Sequence, residues 1–185
     1  VSGIEGVSKE TAKSAAKSHQ NPIQRVMTLL AEIFTPIIPA IIVGGLILGF
    51  RNVIDQVQWG FLDGQTIAQH SQFWSGISSF LWLPGEAIFQ FLPVGIVWSV
   101  SRKMGTSQIL GIVLGICLVS PQLLNAYNVA STPAAEIAKK WVWDFGFFTV
   151  RRIGYQGQVI PALLAGLSLS YLEIFWRKKI PEVVS

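Results

Sequence analysis

The chain has 185 residues, of which 51% are hydrophobic and 13% are charged, and its formal net charge is +4. A soluble domain carries about 25% charged residues, so this composition excludes an ordinary water-soluble domain and indicates a protein that lives in a lipid bilayer. The basic residues stand in short clusters beside apolar runs, which is typical of membrane flanks and argues against nucleic acid as a partner.

The first part of the chain predicts a linker followed by a helix. Residues 1–20 are polar with regularly spaced lysines, which indicates a cytoplasmic linker, and we expect the chain to open within a longer protein. Asn21 and Pro22 predict a helix start, because Asn caps a helix and Pro is tolerated at the first helical position. Apolar residues then recur at helical spacing. They predict an amphipathic helix on the inner membrane surface or, equally, a simple extension of the first span.

Four low-charge runs approach the length of about 20 mainly apolar residues that a spanning helix needs. They predict spans at about 31–54, 73–100, 107–126 and 157–176. The expected fold class is therefore all-α, a polytopic membrane helix bundle. Small residues spaced four apart predict close helix packing. These are Gly45 and Gly49, Gly111 and Gly115, and Ala162, Gly166 and Ser170.

The charges of the loops predict the orientation of the spans. Residues 55–72 contain two Asp and no Lys or Arg, so we expect them outside. The turn at Arg102 and Lys103 and the basic cluster 177–179 should lie inside, which places both chain ends in the cytoplasm. The segment 127–156 conflicts with this scheme, because it would lie outside yet carries four basic residues. Either it folds back as a small element of its own or the topology is wrong there.

Glu86 is the first candidate for a substrate pathway. It falls near the middle of the second predicted span, where a charge costs about 2.5–3.5 kcal/mol and by default marks a polar cavity. Gln90 lies one helical turn further on, within reach of a hydrogen bond. The alternative is a helix broken at Pro84 and Gly85, which would place Glu86 near an interface or against another helix.

A polar stretch before the last span supplies further candidates. Arg151, Tyr155, Gln156 and Gln158 bring together donors, acceptors and a ring face, which are the groups that bind sugar hydroxyls. The same residue types are common anchors at the membrane interface, so both interpretations stay open.

Metal and covalent chemistry find little support in the sequence. Cys117 is the single cysteine, which excludes an internal disulfide and a cysteine-based metal site, and its apolar neighbours predict a core position. His19 and His70 have no companions at metal-ligand spacing. The sequence contains no phosphate-binding glycine loop, nucleophile elbow or zinc motif, so we assign no catalytic residue, no metal and no cofactor.

Several strings taken in order resemble a known family. They are IFTPIIPA at 33–40, FLPVG at 91–95, LGICLVSPQLLNAY at 114–127 and GYQGQVIPA at 154–162. Together they resemble the membrane (C) subunit of enzyme II in the phosphoenolpyruvate-dependent sugar phosphotransferase system. Within its glucose superfamily they are most similar to the sucrose and trehalose permeases. The resemblance covers almost the whole chain.

The resemblance implies which component of the system carries out each step. In this family a B domain on the same polypeptide carries a phosphocysteine, and a soluble A component supplies its phosphoryl group. The membrane domain forms a homodimer, binds the sugar and lets the phosphoryl group pass to a sugar hydroxyl at the inner face. Residues 1–20 resemble the join after a B domain, and residues 21–185 resemble the first, dimer-facing scaffold half of the C domain. Later spans hold most of the sugar site, so this part alone should not transport sugar, and Cys117 does not replace the phosphocysteine.

The choice of sugar rests on similarity alone. Residues 73–76, 82–86 and 180–185 look more like the sucrose branch, so we favour sucrose over a trehalose-specific permease. A different class of function is a secondary transporter without phosphoryl transfer, in which Glu86 would act as a proton or ion group. A third, structural interpretation is that the chain only mediates dimerisation.

Overall fold

The computed structural model describes residues 21–180, so the predicted linker 1–20 and the last five residues lie outside the described residues. Eight α-helices and one two-stranded sheet occupy the described range. The helices are α1 (Pro22–Phe34), α2 (Ile38–Asp55), α3 (Ile67–His70), α4 (Gln72–Gln90), α5 (Leu92–Met104), α6 (Gln108–Leu118), α7 (Ala134–Lys140) and α8 (Val159–Arg177), and the strands are β1 (Val142–Asp144) and β2 (Thr149–Arg151).

Helix α1 begins where the sequence predicted. The backbone N–H of Asn21 donates to the side-chain oxygen of Gln24 at 3.0 Å, and Pro22 occupies the first turn. The helix ends at Phe34 and α2 starts only at Ile38, so α1 is a helix of its own and not an extension of the first span. Ile33 is buried in the core while Met27 is exposed, as in a helix that lies on a surface.

The number of full-length spans is smaller than the sequence predicted. α2 and α8 are each long and apolar enough to cross a membrane, and α4 with α5 makes a third span if the two helices count as one, bent by 42°. α6 has only 11 residues, and at 1.5 Å per residue it reaches about 16 Å, roughly half of the hydrocarbon core. The predicted full-length span at 107–126 is therefore wrong. Pro121 explains the early end, because the residue before a proline avoids the α conformation.

The bend of the second span lies at Phe91 and not at Pro84. α5 starts with Leu92 and Pro93, and Pro93 has no N–H to continue the helical hydrogen bonds of α4. α4 runs through Pro84 without a break, so the alternative of a helix broken at Pro84 and Gly85 is wrong. Gly85 packs closely on α2, because an added Cβ would lie 2.6 Å from a side-chain atom of Leu48.

The core lies where α1, α5, α6 and α8 meet. Its centre consists of Ile33, Ile96, Val97, Val100 and Ala162, all at most 2% exposed. This contact among four helices explains why a compact bundle forms even though much of its outer surface is apolar.

Small residues allow the close packing in part of the bundle, as predicted. A Cβ on Gly115 would lie 2.5 Å from the Cα of Val94, so α5 and α6 approach at backbone distance. Gly45 and Gly49 of α2 behave differently, because an added Cβ at either position would meet no atom of the described residues within 4 Å.

Cys117 was predicted to be in the core, but it is exposed. The face of α6 that carries Gly111 and Gly115 packs on α5, and Cys117 points away from that face. The outer surface of a helix inside the bilayer is apolar even where the helix is short, so apolar neighbours did not indicate burial here.

Hydrogen bonds and an ion pair connect four helix ends on one side of the bundle. The N–H of Ser107 donates to both carboxylate oxygens of Glu173 at 2.9 and 3.0 Å. Lys103 forms an ion pair with Glu32 of α1. The basic turn after α5 and the basic end of α8 therefore share one side, as predicted, and which side of the membrane this is stays a prediction.

The segment after α6 forms a small element of its own, as one of the two sequence alternatives proposed. It contains a 3₁₀ turn (Ala126–Asn128), α7 and an antiparallel hairpin of β1 and β2 in which Trp143 pairs with Val150. The hairpin is the one feature of the described residues that an all-α expectation did not include.

Candidate functional site

A cavity of about 530 Å³ opens between α2, α4 and the irregular segment that follows α6. Aromatic and apolar side chains form one part of its wall, and polar side chains form the other. The lining residues are Leu48, Trp82, Glu86, Phe89, Asn125, Tyr127 and Asn128.

The cavity lies at bilayer depth. The helical run from Glu86 to Arg102, on the basic side, is roughly 20 Å long, which is well into a hydrocarbon core of about 30 Å. The opposite wall is irregular backbone after the short helix α6. Irregular backbone at this depth is tolerated only where it is buried in protein or lines a water-filled cavity.

Several polar groups in the cavity lack a protein partner. Within residues 21–180, the Glu86 carboxylate, the Tyr127 hydroxyl and the Asn128 side-chain amide form no hydrogen bond or ion pair. The side-chain oxygen of Asn125 accepts from the N–H of Tyr127 at 2.9 Å, and its NH₂ stays available. The cavity therefore offers both donors and acceptors to a bound molecule or to water.

Arg51 holds one aromatic wall of the cavity. Its guanidinium lies 4.5 Å from the ring centre of Trp82, and it donates to the Asp55 carboxylate at 3.0 Å. The Nε of Arg51 is buried without a partner among the described residues. A cation over an indole face is the strongest form of this contact, so Arg51 restricts the orientation of Trp82.

Gln156 stabilises the backbone of the polar wall through hydrogen bonds made inside the protein. It is 3% exposed. Its side-chain oxygen accepts from the N–H of Ala126 at 2.9 Å, and its NH₂ donates to the carbonyl of Val119 at 3.3 Å. Both ends of the amide are thus used inside the protein, and Gln156 fixes the start of the 3₁₀ turn that carries Tyr127.

Two glycines make room for this arrangement. A Cβ on Gly154 would lie 2.4 Å from the side-chain oxygen of Gln156, and a Cβ on Gly157 would lie 2.3 Å from the hydroxyl of Tyr127. Gly157 also has a φ of +70°, a conformation that favours glycine. The two glycines of the string GYQG at 154–157 therefore leave the space that the side chains of Gln156 and Tyr127 occupy.

Arg152 ties the hairpin to the same wall. It donates to the carbonyl of Gln122 at 2.9 Å, and its guanidinium lies 5.6 Å from the rings of both Trp141 and Trp143. The N–H of Leu124 donates to the carbonyl of Arg152 at 2.8 Å. The hairpin thus acts as a rigid support for the backbone that precedes Tyr127.

The other predicted site residues lie apart from the cavity lining. Gln90 is half-buried on α4 and forms no hydrogen bond to Glu86 in the described range. Arg151, Tyr155 and Gln158 are exposed, on β2, on the connection and at the start of α8. Their involvement in a pathway stays a prediction.

Sequence reasoning interpreted the end of the third predicted span as a polar helix terminus and did not assign its residues to a site. Asn125, Tyr127 and Asn128 follow Pro121, which ends α6 inside the bilayer. Polar residues after a proline within an apparent span were the available signal. Among the described residues, no group of three or more His, Cys, Asp or Glu side chains could hold a metal ion.

The long apolar helices surround a polar cavity, and irregular backbone lines this cavity at bilayer depth. Together these features define a membrane transport domain. Residues 31–185 match the family described as "Phosphotransferase system, EIIC". The chain belongs to this family, as its resemblance predicted, and it is a multi-pass domain of the cell membrane.

Curated relatives cover nearly the whole chain. It is 49% identical over 176 residues to the PTS system trehalose-specific EIIBC component of Escherichia coli (strain K12), with 95% of the chain and 36% of the relative covered. It is 39% identical to the trehalose-specific EIIBC component of Bacillus subtilis (strain 168), with 97% and 38% covered. It is 35% identical to the sucrose-specific EIIBC component of Staphylococcus xylosus, with 100% and 38% covered. The chain thus spans a little over a third of the length of these relatives, and no solved structure matches it significantly.

Proposed function

We propose that the chain forms part of the membrane domain of an enzyme II that takes up a disaccharide and phosphorylates it during uptake. The observation that carries this proposal is the match of residues 31–185 to the EIIC family. The polar cavity at bilayer depth supports it, because a neutral sugar needs hydrogen-bonding groups along its path.

The relatives suggest the partners. Several are named EIIBC components, and one from Pediococcus pentosaceus is named an EIIBCA component. We therefore propose that residues 1–20 connect to a B domain and that residues 21–185 are the first, scaffold half of the C domain. A soluble or fused A component would supply the phosphoryl group, and the complete enzyme would act as a homodimer.

The phosphoryl step belongs to the B domain and the sugar. The bond between phosphorus and the cysteine sulfur of the B domain breaks, a bond to a sugar hydroxyl oxygen forms, and the hydroxyl proton is released. We do not assign this role to Cys117, which is exposed on the membrane-domain helix α6 and is not part of a B domain. The added negative charge then keeps the product from crossing back through the bilayer.

Sucrose and trehalose are the two candidate substrates. The sequence favoured sucrose, and relatives named for sucrose match the whole chain. Trehalose is the second candidate, because the trehalose-specific relative from E. coli shares 49% identity with the chain. Both sugars join a glucose ring through its anomeric carbon, so one half of the substrate is the same in either case.

Uptake by membrane vesicles that contain the complete enzyme II tests the proposal. Vesicles loaded with phosphoenolpyruvate and the general phosphotransferase proteins should accumulate radiolabelled sucrose or trehalose as the sugar phosphate. The preferred sugar is the one with the lower KM. Accumulation of unmodified sugar driven by a proton gradient alone would instead support a secondary transporter and overturn the proposal.

A further inference from the structure

We propose that a pocket between α1 and α5, on the basic side of the bundle, binds the phosphate group of an anionic phospholipid. The pocket has a volume of about 600 Å³ and shares no lining residue with the cavity beside Glu86. This inference goes beyond the proposed function, because it concerns a lipid of the surrounding bilayer and not the transported sugar. The lining residues are Glu32, Thr35, Pro36, Ser99, Arg102 and Lys103.

The pocket lies near the edge of the hydrocarbon core. Arg102 and Lys103 stand in the last turn of α5. The carboxylate of Glu173, close to the end of α8, accepts from the N–H of Ser107, so the ends of α5 and α8 lie at the same level. The 19 residues of α8 are about 28 Å long, which nearly equals the thickness of a hydrocarbon core of about 30 Å. The basic end of such a helix reaches the headgroup layer, where lipid phosphates are found.

Arg102 is the main phosphate-binding group of the pocket. It is exposed, and within residues 21–180 its side chain forms no ion pair or hydrogen bond. Its guanidinium lies 5.6 Å from the ring centre of Trp98, and the indole N–H of Trp98 donates to the side-chain oxygen of Gln108 at 2.9 Å. The guanidinium is thus oriented and still has its N–H groups available, and an arginine in this state binds phosphate through paired hydrogen bonds.

The hydroxyl groups of the pocket are already used inside the protein. The hydroxyl of Ser99 donates to the carbonyl of Ile33 at 2.6 Å, which joins α5 to α1. The hydroxyl of Thr35 donates to the carbonyl of Ala31 at 2.7 Å, at the end of α1. Recognition of a ligand therefore falls to the charged side chains and not to the hydroxyls.

The charges of the pocket favour a lipid with a net negative charge. Lys103 forms an ion pair with Glu32, so the two cations of the pocket face one carboxylate and leave a surplus of one positive charge. Phosphatidylglycerol carries one negative charge, whereas phosphatidylcholine is neutral overall. Basic pockets between membrane helices are a known type of site for anionic headgroups.

Apolar surface beside the pocket favours a lipid over free phosphate. Pro36 lines the pocket, and Ile38 and Ile42 follow it at the start of α2 with exposed fractions of 45% and 55%. On α1, Ile23 and Met27 are exposed as well. These side chains offer a surface to the acyl chains of a lipid whose phosphate is bound at Arg102, and free phosphate gains nothing from it.

Native mass spectrometry of the purified complete enzyme II in detergent tests this proposal through the Kd of the first bound lipid. Phosphatidylglycerol, phosphatidylcholine and inorganic phosphate are the probes. Arg102→Gln removes the main contact, Arg102→Lys keeps its charge, and Lys178→Gln is a control for an exposed charge on the same side outside the pocket. Arg102→Gln should raise the Kd of phosphatidylglycerol about fivefold, with the other two variants within about twofold of wild type.

The outcomes distinguish a lipid site from attraction by surface charge. A loss of affinity for phosphatidylglycerol in Arg102→Gln alone, with an unchanged thermal unfolding midpoint, supports the site. Unchanged affinity in Arg102→Gln, or an equal loss in Lys178→Gln, overturns it. Displacement of phosphatidylglycerol by inorganic phosphate at constant ionic strength would identify a site for free phosphate and also overturn the lipid assignment. Sugar phosphorylation by the wild-type enzyme tests the proposed function separately.

Discussion

Substitution of Gly157 by Ala tests how the polar wall of the cavity is built. The added Cβ would lie 2.3 Å from the Tyr127 hydroxyl and 3.3 Å from the carbon that carries it, so the ring of Tyr127 must move. The φ of Gly157 is also +70°, which strains any residue with a Cβ. Gly146 is a matched control, because its φ is +84° and an added Cβ there would meet nothing within 4 Å.

Comparison of the two variants separates the cost of backbone strain from the cost of the collision with Tyr127. A left-handed backbone costs about 1–2 kcal/mol for a residue other than glycine, and overpacking adds about 1–3 kcal/mol. Tyr127 is 57% exposed and the colliding atom is the end of its side chain, so the ring can shift and the collision costs the low end of this range. Gly146→Ala should therefore lower the free energy of unfolding by about 1–2 kcal/mol and Gly157→Ala by about 2–3 kcal/mol. Removal of the Tyr127 hydroxyl relieves the closest contact, so the double variant Gly157→Ala with Tyr127→Phe should recover part of the difference.

These effects can be measured by thermal unfolding of the detergent-purified enzyme. Size-exclusion chromatography gives the fraction that stays soluble at each temperature. The unfolding midpoint should fall in the order wild type, Gly146→Ala, Gly157→Ala. Equal midpoints for the two glycine variants, or a double variant no more stable than Gly157→Ala alone, would show that Tyr127 is not seated against Gly157.

Three further substitutions test other parts of the structure. Gln156→Leu should lower the free energy of unfolding by roughly 2–4 kcal/mol, because it leaves two backbone groups unpaired, whereas the exposed Gln158→Leu should change it little. Equal effects of the two variants in a thermal melt would show that the hydrogen bonds of Gln156 do not stabilise the turn. Gly115→Ala should lower it by about 1–3 kcal/mol through a collision with the backbone of α5, and Gly45→Ala should be tolerated in the same assay; the opposite order would argue against the packing of α5 on α6. Glu86→Leu should reduce sugar uptake more than it reduces the amount of enzyme in the membrane; a parallel fall in both would leave Glu86 a purely structural role.

The class of fold was predictable because bilayer thickness constrains composition directly. Low charge over long runs located α2, the bent pair α4 and α5, and α8, and a capping Asn followed by Pro located the start of α1. Composition gave a wrong prediction of the length of α6, because apolar residues continue beyond the end of this helix. There the local effect of Pro121 outweighed the average hydrophobicity, and the backbone became irregular inside the bilayer.

The site was less predictable because its residues are distant in sequence. Glu86 stood out through the cost of an intramembrane charge, but nothing in the sequence placed Tyr127 opposite to it. Gln156 carried the right chemistry for a sugar ligand, and the structure shows that both ends of its amide are used to brace the turn. Cys117 was misplaced because a lipid-facing surface and a protein core have the same apolar composition.

The proposed function requires the irregular segment after α6 to line a wet cavity that the sugar can enter. Asn128→Cys in a complete enzyme II without other reactive cysteines, including Cys117→Ser, allows a direct measurement with a membrane-impermeant thiol reagent. Asn128→Cys should react readily, and saturating sucrose or trehalose should slow the reaction several-fold, while Gly45→Cys on the open face of α2 should stay unreactive. An unreactive Asn128→Cys, or labelling that neither sugar slows, would contradict a sugar path through this cavity.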